Sequence, residues 1–318
     1  MPLRAVVGGR VTLRGSGFPV DEIPEVTVGD EPALVAFASS SRIVVTVPPG
    51  VEGVSVPIRL QDLAGETAYV SIGEVWATGL HQVDNPVFDA AGSLFVTHSG
   101  SRGEESPVSI FKVTRAGTRE PFASGIVNAT SMAMGPDGQL YVSSRFEGAV
   151  YRVGADGGHT QVASELGVAC GLAFDRDGWL YVGDRSGTIL RVLDGRVEPF
   201  ATLPPSIAAF HLAFSPEGEL FVSGPTLATY DHVYRIGRDG EVRSVVAVFG
   251  RPQGLAFSPG DGDLYAVDAL AGRSGLYWLR DLDGEPELVV SGCGLVGVAF
   301  GPAGELVVTS SDTAYRFA

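Results

Sequence analysis

Gly171-Leu-Ala-Phe-Asp-Arg-Asp-Gly-Trp-Leu-Tyr-Val182 reads as a strand, a tight turn and a second strand. Leu172-Ala-Phe174 is apolar throughout, as a short strand packed on both faces must be. Asp177-Gly178 reverses the chain, because glycine adopts the positive φ that hairpin turns need. Close copies begin at Ser131, His211, Gly254 and Gly297, and a looser one at Asn85. The matched position is Phe88, Met134, Phe174, Phe214, Phe257 and Phe300, giving spacings of 46, 40, 40, 43 and 43 residues. A period of that size marks a propeller or a solenoid.

The rest of each unit decides between them. After the second strand a variable loop leads to a third, such as Val150-Tyr-Arg-Val153 or Val233-Tyr-Arg-Ile236. A further glycine turn follows, as at Asp156-Gly157 and Asp239-Gly240, and then a more polar outer strand such as Val197–Thr202. Four antiparallel strands per repeat make a propeller blade. The last unit stops after its third strand, Ala314–Phe317, while Gly73–Leu80 matches the outer strand Arg119–Ile126 in pattern. The expectation is a six-bladed ring whose last blade is closed by a strand from the N-terminal side, which removes exposed sheet edges.

Residues 1–70 lack the repeat and read as short strands between turns. Pro57, inside Val54–Leu60, points to an edge strand or a bulge there. Gly8–Phe18, Val26–Gly29 and Arg42–Gly50 together resemble the IPT/TIG family of immunoglobulin-like domains, which implies a spacer or interaction module rather than catalysis. Residues 73–318 resemble six-bladed propellers of the NHL-repeat and gluconolactonase/regucalcin type. The expected fold is therefore all-β, with a small immunoglobulin-like β-sandwich over 1–70 and a six-bladed β-propeller over 71–318.

With 22 Lys and Arg against 37 Asp and Glu, the net charge is −15. A surface this acidic repels phosphate backbones, which argues against nucleic acid, and no basic amphipathic run argues for a membrane surface. No apolar signal-peptide core is visible at the N-terminus, so the expectation is a cytoplasmic protein, with export open if a leader has been removed. Cys170 and Cys293 are too few for a disulfide framework and read as buried small apolar thiols.

In propellers the loops before inner strands and after second strands share one face, around the channel mouth. The resemblance to gluconolactonases implies oxygen ligands for a divalent cation, calcium for instance, just before the inner strands. The matching positions are Asp84, Thr130, Cys170, Phe210, Gln253 and Val296. Asp84, its neighbour Asn85, and Gln253 are the candidate metal ligands. Cys170, Phe210 and Val296 supply no oxygen, so the implied set is incomplete. A catalytic reading uses His98 and His211 as general base and acid, oriented by Asp184 or Asp268. The structural alternative makes the two aspartates loop caps and the histidines packed or surface groups. Ser143, Arg145, Arg185, Asp231 and His232 stand in the same loops, and the longer loops His98–Pro107 and Gly224–His232 are candidates for ligand contact.

Two functions follow. One is a non-catalytic propeller that binds a small molecule, a carbohydrate or a protein at the channel mouth. The other is a gluconolactonase-like hydrolase or lyase acting on a lactone or sugar-like substrate. Carboxylate, amide or imidazole groups converging at the mouth would favour the enzyme; a mouth lined by Cys170, Phe210 and Val296 would favour binding.

Overall fold

Each repeat folds as its pattern dictates. In the computed structural model, which describes residues 3–18, 21–61 and 67–317, every regular element is a β-strand. The reference repeat has strands Ala169–Phe174, Leu180–Asp184, Thr188–Leu193 and Arg196–Thr202, hydrogen-bonded antiparallel in that order. Gly178 turns the first hairpin with φ 87°, which an L side chain would strain.

The inner strands of the six repeats are Val87–Phe88, Ala129–Met134, Ala169–Phe174, His211–Phe214, Pro252–Phe257 and Leu295–Phe300. Each packs beside the next, and the last returns to the first, so the chain is a β-propeller with four-stranded blades. The hydrophobic cores lie between neighbouring blades. One joins Ala173, Tyr181 and Ile189 to Phe210, Leu212 and Val222; another carries the sixth repeat's Val307 and Ala314 onto Leu94 and Val96 of the first. A recurring aromatic pair explains the conserved spacing of the sequence unit. Tyr141–Phe174, Tyr181–Phe214, Phe221–Phe257 and Tyr265–Phe300 meet edge-on across successive blades, with ring centroids 4.8, 5.0, 5.2 and 5.2 Å apart. Each such pair adds about 0.5–1.5 kcal/mol beyond its buried area.

The sixth repeat is completed from the N-terminal side, as expected: Glu74–Ala77 pairs antiparallel with Ala314–Phe317. The expectation of separate blades needs a correction. Five four-stranded sheets stand alone, but the fifth repeat, Pro252–Ser291, does not. Its outer strand Glu287–Ser291 accepts Arg4–Ala5 as a parallel neighbour, and Arg4–Ala5 also pairs parallel with Ala68–Ile72. The N-terminal strands and this blade thereby form one eleven-stranded sheet. The N-terminal part folds over its own core, which includes Val11, Val28, Ile43, Val45, Ile58 and Val70. Pro57 lies in an interior strand, and the register irregularity falls before it, between Gly53 and Val56.

Candidate ligand site at the channel mouth

The ring axis is governed by one position, three residues before the matched aromatic. It is occupied by Asn85, Ser131, Gly171, His211, Gly254 and Gly297. The glycines are required by close approach: a Cβ on Gly171 would stand 2.7 Å from the Phe210 carbonyl oxygen, and one on Gly297 2.6 Å from that of Asp84. Asn85 takes the space left at Gly254 and Gly297, and Leu212 that at Gly171. Asn85 donates from Nδ2 to the Leu255 carbonyl at 2.8 Å and accepts at Oδ1 from the Val298 N–H at 3.0 Å. It is therefore a clamp holding the first, fifth and sixth repeats together. His211 reaches across the ring from the fourth repeat to Asp84, just before the first repeat's inner strand; Asp84 Oδ1 accepts from Nδ1 of His211 and from the Asn85 N–H, the latter at 2.7 Å. Both side chains are buried. Nε2 of His211 is buried without a partner among the described residues.

At the channel mouth lies a cavity of about 780 Å³. Four of the six positions singled out before the inner strands line it: Thr130, Cys170, Gln253 and Val296. Phe210 instead turns into the core, over Gly183 and Gly224, whose missing side chains make room for its ring. The charged part of the lining is one-sided. Arg102, Arg145, Arg185 and Arg251 face the cavity with His81, and among the described residues no Asp or Glu lines it. Arg145 and Arg185 occupy the same register, directly after the second strands Leu140–Ser144 and Leu180–Asp184 of adjacent repeats. Arg102 comes from the long loop after Leu94–Thr97. Asn128 holds that loop in place: its Oδ1 accepts from the Gly103 N–H at 2.7 Å, and its Nδ2 donates to the carbonyls of Ser99 and Ser101 at 2.6 and 2.8 Å. Asn128 has φ 50°, a left-handed conformation that asparagine tolerates better than most residues.

Electrostatics follow from this geometry. Burial holds Arg145 below the ordinary arginine value; Cys170 opposes this, and the Arg185 and Arg102 guanidinia add smaller lowering effects. Burial, the His98 ring and Arg145 lower the His81 imidazole in the same way. Burial pushes the Cys170 thiol up to about 12 despite the nearby Arg145, so at neutral pH it is an inert thiol.

The remaining sequence candidates are dispersed. Asp184 accepts from the Val168 N–H at 2.8 Å and from the Ser186 hydroxyl. Asp268 accepts from the N–H groups of Gly250, Arg251 and Leu270 and pairs with Arg273 at 3.4 Å. Both aspartates cap loops, and neither touches a histidine through a hydrogen bond in the described residues. His98 packs edge-on between His81 and Phe111, each centroid 5.8 Å away, so it lies behind the cavity wall and is not brought to His211. The loop Gly224–His232 is organised by Asp231, which accepts from Thr226, and it contributes nothing to the cavity wall. Of the three expected metal donors, Asn85 is spent on backbone groups, Asp84 Oδ1 accepts from His211 and the Asn85 N–H, and Gln253 reaches the cavity wall. Among the described residues no three His, Cys, Asp or Glu side chains converge on a point. Sequence reasoning named Arg145 and Arg185 but passed over Arg102, Arg251, His81 and Asn128. Only Arg251 carried a signal, a basic loop residue with no acid close in sequence in a chain of net charge −15.

Comparison with known proteins supports the architecture. Residues 2–71 match the IPT/TIG domain family, and residues 171–192 match the strictosidine synthase-like N-terminal family. No curated protein matches the chain. Among solved structures, a candidate gluconolactonase is similar at 19% identity with TM-score 0.61, over 77% of this chain and 90% of that one. An auxiliary nutrient binding protein from Bacteroides thetaiotaomicron matches at 12% identity and TM-score 0.61, over 98% and 94% of the two chains. Virginiamycin B lyase from Staphylococcus aureus matches at 13% identity and TM-score 0.54, over 97% and 99%. At these identities the likeness is one of fold: an IPT/TIG-like N-terminal region joined to a propeller of the kind these proteins share.

Proposed function

We propose that this protein is a six-bladed ligand-binding propeller, 71–318, that takes a small molecule in its channel-mouth cavity, with the IPT/TIG-like region, 1–70, as spacer or docking module. The closed cycle of inner strands supports the count of blades. One observation carries the function: a cavity of about 780 Å³ walled by loops of all the repeats. Its volume falls in the range of small-molecule sites, roughly 300–1,000 Å³. Its concave shape suits a compact ligand better than a protein surface.

A hydrolase or lyase reading rests on the Asp84–His211 pair. A carboxylate-oriented imidazole with a bare Nε2 is a general base when a substrate can reach it. Here that nitrogen is buried and His211 is absent from the cavity wall, so binding is the better-supported reading.

A thermal-shift screen of neutral sugars, lactones, amino acids and organic acids tests it, with Ala208→Trp filling the cavity. Ligands that raise the melting temperature of the wild type but not of the filled variant are expected, with no lactone turnover. Hits that ignore the filled cavity would sink the binding site. Lactone turnover abolished by His211→Ala would replace binding with catalysis.

A further inference from the structure

The geometry points to an oxyanion ligand, a small molecule bearing phosphate or several carboxylates, gripped by Arg102, Arg145, Arg185 and Arg251; this rests on the channel-mouth reading above. Some arginines elsewhere in this acidic chain find carboxylates, Arg191 with Glu198, Arg235 with Glu219 and Arg316 with Glu74, and others, such as Arg42 and Arg119, lie over aromatic rings. The four at the cavity do not; among the described residues none forms an ion pair. Three of them come from three successive repeats, and Arg251 enters from the fifth.

Like charges gathered in a partly dry cavity repel one another; Arg145 is held below its ordinary value mainly by burial, with smaller effects from Arg185 and Arg102. An anion offsets that repulsion. Guanidinium presents five N–H donors in a planar fork that fits carboxylate and phosphate oxygens. Arg185 spends two of its bonds on the carbonyls of Ser206 and Ile207, at 3.2 and 2.7 Å, which fixes its orientation while leaving other donors unspent. Arg145 and Arg251 make no side-chain hydrogen bond among the described residues, so their whole forks remain for a ligand.

Between the arginines the lining is small and aliphatic, with Val168, Ala208, Ala209 and Val296, and it runs close to them: the Arg185 N–H donates to the Val168 carbonyl at 3.1 Å. It asks for a neutral or weakly polar body on the ligand. The occupant is thus an organic acid with an apolar or weakly polar body, and a bare inorganic ion would fill only part of the space.

Isothermal titration of the full chain at low salt tests this with glycerol 3-phosphate, citrate, inorganic phosphate and glucose. The expected result is binding of one or both organic anions, weaker binding of inorganic phosphate and none of glucose. Affinity should fall as salt is raised. Arg145→Ala should weaken binding about tenfold or more, with Arg145→Lys intermediate, because a charge-assisted fork is lost in the first and a point charge kept in the second. Whether the phosphate ester or the polycarboxylate binds more tightly identifies the source of the oxyanion. Arg251→Ala, on a different blade, repeats the test if Arg145→Ala folds poorly, and Arg196→Ala on the outer surface serves as control. Glucose binding as tightly as the anions, with Arg145→Ala silent, would overturn the ligand class and leave the cavity as a site. Failure of these anions, together with failure of every neutral compound in the thermal screen, would overturn both.

Discussion

The His81 imidazole is held below its ordinary value of 6.5 by burial, by His98 and by Arg145. The unfolded chain therefore takes up this proton first. The contribution of His81 to stability is present above pH 6.5 and is lost as pH falls from there towards the lowered folded value. An anion in the cavity works the other way, since it stabilises the imidazolium. Sulfate, whose own charge is constant between about pH 5.5 and 7.5, should bind more tightly as pH falls across that interval, by up to about tenfold for each pKa unit recovered. His81→Asn should flatten the profile; an unchanged slope in that variant would show that His81 does not face the anion. Little of this residue-level picture was legible in the sequence. Both cysteines were read as buried thiols from their lack of a partner; Cys170 is buried and Cys293 is exposed. Arg145 and Arg185 stood out as loop residues, but their convergence with Arg102 depends on how Asn128 ties down a loop 25 residues earlier, from Asn128 to Gly103. Nothing in the local sequence of either segment states that contact.

Elements were far more legible, because the residues that repeat are the ones that packing repeats. The closing strand Glu74–Ala77 was found from its likeness to Arg119–Ala123, and the structure pairs it with Ala314–Phe317. What holds that strand is mainly apolar. Trp76 is 5% exposed, stacks on Phe88 at 5.9 Å and enters the core between the sixth and first repeats. Glu74 pairs with Arg316 at 2.7 Å, but the pair is open to solvent. Trp76→Ala should cost about 3–5 kcal/mol, as large-to-small core changes do. Glu74→Ala should cost under about 1 kcal/mol, the usual worth of an exposed ion pair. Chemical denaturation of the two variants decides the matter; equal losses would mean that the ion pair, and not the indole, fastens the ring.

At the scale of the whole molecule, the sequence suggested two modules joined by a boundary near residue 70, and the strand Arg4–Ala5 changes what that boundary means. Two residues were too short a run to register as a strand, and their partners are about 285 positions away, Arg4 with Val290 and Ala5 with Ser291. The junction is reinforced around them. The Val6 N–H donates to the Ser291 carbonyl at 2.9 Å, the Arg10 N–H donates to Ser291 Oγ at 2.8 Å, and the Val6 side chain lies in the core shared by the fifth and sixth repeats. A sheet that runs unbroken from one module into a blade of the other transmits unfolding between them, since melting either part strands unpaired backbone groups on its neighbour. The two modules should therefore melt together. Calorimetry of the full chain is expected to give one transition with a van't Hoff enthalpy close to the calorimetric one. Removing residues 1–9 should split it into two, the smaller belonging to the N-terminal strands. Two transitions already present in the full chain would mean that the continuous sheet joins the modules in space without coupling their stability.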